Sequence, residues 1–255
     1  MPVTDDHDPE VTVARLPEVA DAPTPEDEDA EPEGAAAWTG QIGIPTRLLL
    51  LRHGQTELSI LHRYSGLGDP ELTALGHDQA TGAAARLAAP EAGGLAPDGI
   101  AAVLTSPLRR ARQTAAAVAD VLGVPMEERS GFVETDFGGW EGLTFAEARE
   151  RDPELHAAWL GDEHVAPPGG ESFATVGARV AGECAAIVAA YPGETVVVVS
   201  HVTPIKLLLR HALAGGPEIL YRLHLDLASL SVADFYRDGG ASVRLFNDTA
   251  HLPRG

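Results

Sequence analysis

Thr46-Arg47-Leu48-Leu49-Leu50-Leu51-Arg52-His53-Gly54 is the stretch whose reading decides the fold class. Thr46–Leu51 is a short apolar run suited to a strand buried on both faces, and it breaks off abruptly at Arg52-His53-Gly54. Working outward, Thr195–Val199 is a threonine followed by four valines that ends at Ser200-His201, and Ile100–Thr105 is a third apolar run ending at Ser106-Pro107. Helical spacing fills the intervals. Leu72–Ala89 reads as a helix, as does Leu108–Leu122 with Pro125 closing it off. Pro153–Leu160 and a long amphipathic Ser172–Tyr191, with Ser172 as N-cap, follow the same pattern. Pro204–Ala214 is the helix after the valine strand. Ser229–Tyr236 and Ser242–Phe246 flank Gly239-Gly240 and predict a hairpin at the sheet edge. Strand–helix alternation predicts an α/β fold, a three-layer sandwich with a mainly parallel central sheet. No internal repeat is visible.

Three of the strands deliver polar residues at their carboxyl ends: Arg52 and His53, Ser106 with Arg109 and Arg110 beyond it, and His201. In open α/β sheets ligands bind outside that edge, where helix N-termini add positive potential. Parallel neighbours would gather arginines and histidines there, a costly cluster unless it binds an anion, and guanidinium forks suit phosphate oxygens. Each piece alone has an ordinary alternative. The arginines could form a solvated helix face, and His201 could satisfy a backbone carbonyl. Trp140 and Trp159 could line a cleft or pack in the core. Cys184, on an amphipathic helix, reads as a small core residue, and the remaining histidines read as surface or packing residues.

Composition narrows the chemistry. The 255 residues carry a net charge of −20 and a single cysteine. That charge disfavours broad nucleic-acid binding, and one cysteine excludes an internal disulfide framework and fits a reducing compartment. No run of 18 apolar residues predicts a membrane span, and no basic region followed by an apolar stretch predicts a secretory leader; a cytoplasmic location is expected. Residues 1–46 hold 12 acidic residues, one arginine and seven prolines. Such a stretch cannot bury enough apolar surface to order itself, so residues 1–45 are expected to be a disordered acidic tail and 46–255 the folded domain. Lys206, the only lysine, follows no Walker spacing, no Gly-x-Ser-x-Gly elbow occurs, and no zinc motif is present. No metal and no cofactor are expected.

The ordered set of motifs resembles the histidine phosphatase superfamily, also called phosphoglycerate mutase-like. Leu51-Arg52-His53-Gly54-Gln55-Thr56-Glu57 carries the first part. Arg63-Tyr64-Ser65-Gly66, Leu72-Thr73 with Gly76 and Gln79-Ala80, and Ser106-Pro107-Leu108-Arg109-Arg110-Ala111 with Thr114-Ala115 continue it. Glu134-Thr135-Asp136-Phe137-Gly138-Gly139-Trp140-Glu141-Gly142, Pro168-Gly169-Gly170-Glu171-Ser172 and Ser200-His201 with Pro204-Ile205 complete it. Within the family the chain looks most like the C-terminal acid phosphatase domain of bacterial bifunctional ribonuclease H/acid phosphatase proteins and like α-ribazole phosphatases. With 46 residues before the domain, the nuclease half is expected to be absent.

The resemblance implies roles. His53 would be the phosphorylated nucleophile, Arg52, Arg110 and His201 would hold the transferring phosphoryl group, and Glu134 would be the proton donor. Arg110 takes the family position because it directly precedes Ala111. Ser59 stands where many relatives have asparagine, and Ser59, Ser65 and Gly66 would contact substrate phosphate. Val202-Thr203 replaces a pair of glycines. The implied activity is metal-independent hydrolysis of a small-molecule phosphate monoester, with acid phosphatase and α-ribazole phosphatase as finer names. The alternatives are a phosphoglycerate mutase and a non-catalytic phospho-ligand module. Thr135 and Asp136, where glycolytic mutases carry arginine and histidine, argue for hydrolysis. Gly142–Ser172 is expected to cap the site. Neither nucleic acid nor membrane is expected as a partner, and oligomeric state is left open.

Overall fold

The computed structural model describes residues 43–89, 95–96 and 98–252; residues 1–42 of the acidic tail expected over 1–45 lie outside the described residues. The strands and helices in chain order are β1 (Thr46–Arg52), α1 (Glu57–Ile60), α2 (Ala74–Ala88), β2 (Ala102–Thr105), α3 (Arg109–Leu122), β3 (Met126–Glu128) and α4 (Phe145–Arg151). They continue as α5 (Pro153–Gly161), α6 (Phe173–Ala190), β4 (Thr195–Ser200), α7 (Val202–Ala212), α8 (Ile219–Arg222), β5 (Leu230–Phe235) and β6 (Ala241–Asp248). One six-stranded sheet runs in the order β3-β2-β4-β1-β5-β6. Strands β3, β2, β4 and β1 are mutually parallel, while β5 pairs antiparallel with β1 and β6 with β5. The expected α/β sandwich is therefore observed, and the late hairpin forms one edge of the sheet.

The leucine and valine runs form strands because both faces of the sheet are covered. Leu48, Leu50, Val196, Val198 and Leu104 pack on one side with Ile187, Ile205 and Trp140. Leu49, Leu51, Val103, Val197 and Val199 pack on the other with α2 and α3, through Ala83, Ala84, Ala115 and Val118. Every second residue of β1 thus serves one of two cores, so a one-residue slip would exchange the two sets. Trp140 and Trp159 are buried and pack edge-to-face at 5.4 Å, so they belong to the core; Trp140 Nε1 donates to Asp152 at 2.7 Å. Cys184 is also buried in the core, and burial pushes its thiol up to about 12. Helix α6 has the length and composition of a membrane span even though Arg179 and Glu183 interrupt its apolar sequence. Here it lays Val176, Val180 and Ile187 into the core.

The connection from β1 to β2 skips the central position, and β4 is inserted there. This brings the carboxyl ends of β1, β4 and β2 side by side, the crevice where ligands bind in such sheets.

Candidate active site

Register fixes which side chains meet. Arg52 lies opposite Ser200 and Thr105 opposite Val199, so His53, His201 and Ser106 each stand one residue past the end of neighbouring strands. His53 N donates to Ser200 O at 3.0 Å and Ser106 N to Val199 O at 3.0 Å. The turn after β1 is glycine for a steric reason: a Cβ on Gly54 would collide with the carbonyl oxygen of Gly76, and one on Gly76 with that of Gln55. Two backbones touch where β1 gives way and α2 begins, and no side chain fits between them.

His53 is 6% exposed and lines a cavity of about 230 Å³ with Arg52, Ser59, Ser65 and Glu134. Its Nδ1 lies 2.8 Å from Gly54 O. A carbonyl only accepts, so Nδ1 carries the proton and Nε2 keeps its lone pair. Burial holds the imidazole well below the usual histidine range, and the charges of Arg110 and Arg52 lower it further. The His201 ring centroid lies 5.1 Å away. His201 Nε2 is 2.8 Å from Ser106 Oγ, while its Nδ1 is buried with no partner among the described residues. Burial, followed by Arg110, also depresses its pKa strongly.

The two arginines are held by carbonyl oxygens. Arg52 Nη1 donates to Leu225 O at 2.5 Å, and burial draws this guanidinium down to about 10. Arg110 donates to Gly68 O at 2.7 Å and to Ser65 O and Gly66 O at 2.9 Å each. It is completely buried, which lowers its pKa, whereas Arg109 is exposed and pairs with Glu71. Arg110 acts on His53 through its charge, but neither Arg110 nor His201 is among the residues that line the cavity. Arg52 Nε, Arg110 Nε, Ser65 Oγ and His201 Nδ1 account for four of the eight buried side-chain polar atoms without a partner among the described residues. A buried polar group left unpaired costs roughly 1–3 kcal/mol, so their concentration here is a feature to be explained by a ligand.

Glu134 is buried beside them. Its Oε1 accepts from Thr135 N at 2.8 Å and its Oε2 from Thr203 N at 3.4 Å. The latter donor lies in the first turn of α7, so the Val202-Thr203 replacement still provides a backbone N–H, now directed to the carboxyl group. The residues expected to contact phosphate differ in what already engages them. Ser65 lines the cavity with its hydroxyl unpaired. Ser59 lines it too, but its hydroxyl donates to Thr56 O at 2.7 Å and accepts from Thr56 N in the capping box of α1. The Gly66 N–H donates to both carboxylate oxygens of Glu141, at 2.8 and 3.1 Å, and its carbonyl accepts from Arg110, so its backbone braces the loop.

Motif residues given no contact with substrate from the sequence also form the wall: Arg63, Tyr64, Phe137 and Thr203 line the cavity, with the Tyr64 and Phe137 rings 4.7 Å apart. Arg63 Nη1 is engaged by Gly142 O at 2.7 Å and Glu147 at 2.9 Å. The segment Gly142–Ser172 supplies no residue lining this cavity; its Trp159 packs against Tyr64 and Phe137. Asp136 turns its carboxylate to Gly138 N at 2.8 Å and, like Thr135, does not line the cavity. Among the described residues no group of three or more His, Cys, Asp or Glu side chains could hold a metal ion.

The family model for the histidine phosphatase superfamily (branch 1) matches residues 48–249. A Mycobacterium tuberculosis (H37Rv) protein named bifunctional protein Rv2228c is 58% identical over 215 residues, which is 84% of this chain and 57% of that protein. The chain thus spans little more than half the length of this relative. The structure of the mycobacterial glucosyl-3-phosphoglycerate phosphatase Rv2419c complexed with VO3 superimposes with a TM-score of 0.71 at 30% identity, covering 80% of this chain and 100% of that one. The α-ribazole phosphatase from Shigella flexneri gives 0.68 at 29% identity, covering 80% and 96%.

Proposed function

The chain belongs to the histidine phosphatase superfamily, and from that premise we propose that it is a metal-independent phosphomonoesterase working through a phosphohistidine on His53. The observation that carries the reading is the set of unpaired buried polar atoms on Arg52, Arg110, Ser65 and His201 around a histidine whose free nitrogen is a lone pair.

Each group has a task in phosphoryl transfer. His53 Nε2 attacks phosphorus and its N–P bond forms as the bond to the ester oxygen breaks. Burial and the two guanidinium charges keep the imidazole neutral, hence nucleophilic, below neutral pH. Arg52 and Arg110 stabilise the charge on the non-bridging oxygens as the loose transition state develops. His201 Nδ1 supplies a further donor when Ser106 Oγ–H donates to its Nε2, which leaves the ring proton on Nδ1. Glu134, in its acid form, gives its proton to the departing alkoxide; as the carboxylate it then takes one from the water that cleaves the N–P bond.

Hydrolysis is favoured over the mutase reading because a mutase must also hold a carboxylate. Arg63 is the cation on the cavity wall beyond Arg52, and Glu147 already engages it. A purely binding module would have no use for a buried carboxyl group beside the nucleophile. Acidic working pH and α-ribazole phosphate as substrate are finer proposals, supported by the depressed His53 and by the Shigella structure. Rapid quench with labelled phosphate ester tests the core of the reading. Acid-labile, alkali-stable label should appear on the wild type within one turnover and be absent from His53→Ala. A fully active His53→Ala enzyme would overturn it.

A further inference from the structure

Glu134 lies in an irregular stretch between short 3-10 turns at Ser130–Phe132 and Gly138–Trp140, so no sheet ladder or helix carries its backbone, although its carboxyl oxygens accept from Thr135 N and Thr203 N. One guanidinium ties that backbone down from outside the cavity. Arg179, in the second turn of α6, donates from Nη1 to Gly131 O and Val133 O, both at 2.8 Å, and from Nη2 to Glu134 O at 3.1 Å. The carboxylate of Glu171 faces the other side of the same guanidinium, 3.2 Å from Nε and 3.1 Å from Nη2. Glu171 also grips the stretch beyond Glu134: its Oε2 accepts from Asp136 N at 3.1 Å and its N–H donates to Asp136 O at 2.8 Å. Backbone packing closes the assembly, since a Cβ on Gly170 would collide with Asp136 O and one on Gly138 with Pro168 O. Neither Arg179 nor Glu171 lines the cavity.

We propose that the Arg179–Glu171 pair is a positioning device for Glu134, and that it sets how well the enzyme expels poor leaving groups. The inference rests on the reading of Glu134 as proton donor. A proton donor must come within hydrogen-bond reach of the leaving oxygen, and a carboxyl on an irregular loop moves with its backbone. Arg179 holds the residue's own carbonyl and the one before it, so its removal frees the hinge on which the acid turns. The phosphate-binding arginines and His53 lie on other elements and keep their places.

This predicts a loss that depends on the leaving group, which a general loosening of the fold would not produce. Phenyl phosphate and p-nitrophenyl phosphate have nearly the same shape, but only the phenolate needs a proton badly. In single-turnover phosphorylation of His53, Arg179→Met should slow phenyl phosphate by about 10–100-fold and p-nitrophenyl phosphate by less than about threefold. Glu171→Gln keeps the volume and removes the opposing charge; it should show the same selectivity more weakly and serves if Arg179→Met does not fold. Equal losses on both substrates, or none, overturn the proposal. Glu134→Gln is measured beside them. If it is selective and the Arg179 and Glu171 variants are not, the positioning role alone is wrong. If Glu134→Gln itself loses both substrates equally, the acid assignment is wrong and the inference falls with it.

Discussion

Replacing Arg110 by methionine should cost far more stability than replacing Arg52, although both changes should cost turnover alike. Arg110 is completely buried and gives hydrogen bonds to three carbonyl oxygens, those of Gly68, Ser65 and Gly66. Hydrogen bonds from charged donors contribute about 1.5–3 kcal/mol each, so the three together come to about 5–9 kcal/mol before any offset. Two effects oppose that sum. Burial disfavours the charge itself, as its lowered pKa shows, so removing it relieves a desolvation cost. The carbonyl oxygens of a loop at the cavity rim can also recover water. A net loss of about 2–4 kcal/mol follows, within the roughly 5–15 kcal/mol that holds a domain of this kind folded. Arg52 makes one such bond, to Leu225 O, and its replacement should cost about 0–1 kcal/mol after the same offset. Each variant should lose turnover by about 10²–10³, the scale for removing one preorganised charge-stabilising donor. Urea unfolding at constant pH in phosphate-free buffer reads the first quantity, and single-turnover phosphorylation reads the second. Equal stability losses would refute the weight given to the three carbonyl contacts. Wild-type turnover in either variant would remove that arginine from the mechanism.

The site should also respond to anions and to acid. Inorganic phosphate or vanadate should compete with substrate and raise the unfolding midpoint, by about 2.7 kcal/mol of added stability at a hundred times Kd; activity should survive EDTA, and chelator-sensitive activity restored by a divalent ion would redirect the mechanism to a metal. The folded-state pKa values of His53 and His201 both lie well below 6.5, so the unfolded chain takes up protons near pH 6.5 that the native protein refuses. Their contribution is therefore present above that pH and falls as pH drops below it, by up to about 1.4 kcal/mol per unit for each histidine until the folded pKa is reached. Urea midpoints at pH 7.5, 6 and 5 should show the decline, and His53→Gln should flatten it; stability that rises on acidification would contradict the buried-neutral assignment. Since Arg110 and Arg52 contribute to the depression, Arg110→Met should move the acid limb of kcat/KM to higher pH. Finally, a chain shortened to begin at Ile44 should fold and turn over as the full one does, and a shortened chain that unfolds would place the domain boundary earlier.

The parts of the fold that were legible in the sequence are those where one physical demand dominates. Four consecutive leucines breaking off at Arg52-His53-Gly54 and four consecutive valines breaking off at Ser200-His201 read as strands buried on both faces, and strands of that kind in an α/β chain place their next residues at one edge. The same reasoning places His53, Ser106 and His201 one residue past the ends of neighbouring strands. Elements whose reason for existing is tertiary were not legible. Met126–Glu128 is an exposed three-residue edge strand that exists because Val103, Leu104 and Thr105 lie beside it. Helix α4 did carry a local signal, the capping box of Thr144 and Glu147, which was there to be read. Gly66 shows the opposite limit. Its place in the motif was clear, but Glu141, 75 positions away, takes its N–H. Arg179 lies inside an apolar helix, and nothing local announces that its guanidinium spans the carbonyls of residues 131–134.

The way the site cations are held explains how an acidic protein keeps a place for a dianion. Across the molecule arginines are matched to carboxylates: Arg47 to Asp234, Arg109 to Glu71, Arg112 to Glu128, Arg129 to Glu127 and Arg210 to Glu163. Arg52 and Arg110 form no ion pair among the described residues, and their guanidinium groups are oriented by carbonyl oxygens alone. Carbonyl dipoles fix geometry without cancelling charge, whereas a carboxylate partner would have to be displaced by every incoming phosphate. Glu134 is the acid whose charge acts on both arginines, and it is the largest such influence on each. If it enters the reaction protonated, the pair faces the phosphoryl group with its charge undiminished; once it has given up its proton, its negative charge returns beside a phosphate already joined to His53. The same carboxyl group would then both supply the leaving-group proton and, as the carboxylate, lower the positive potential around the phosphohistidine until it takes the proton of the attacking water.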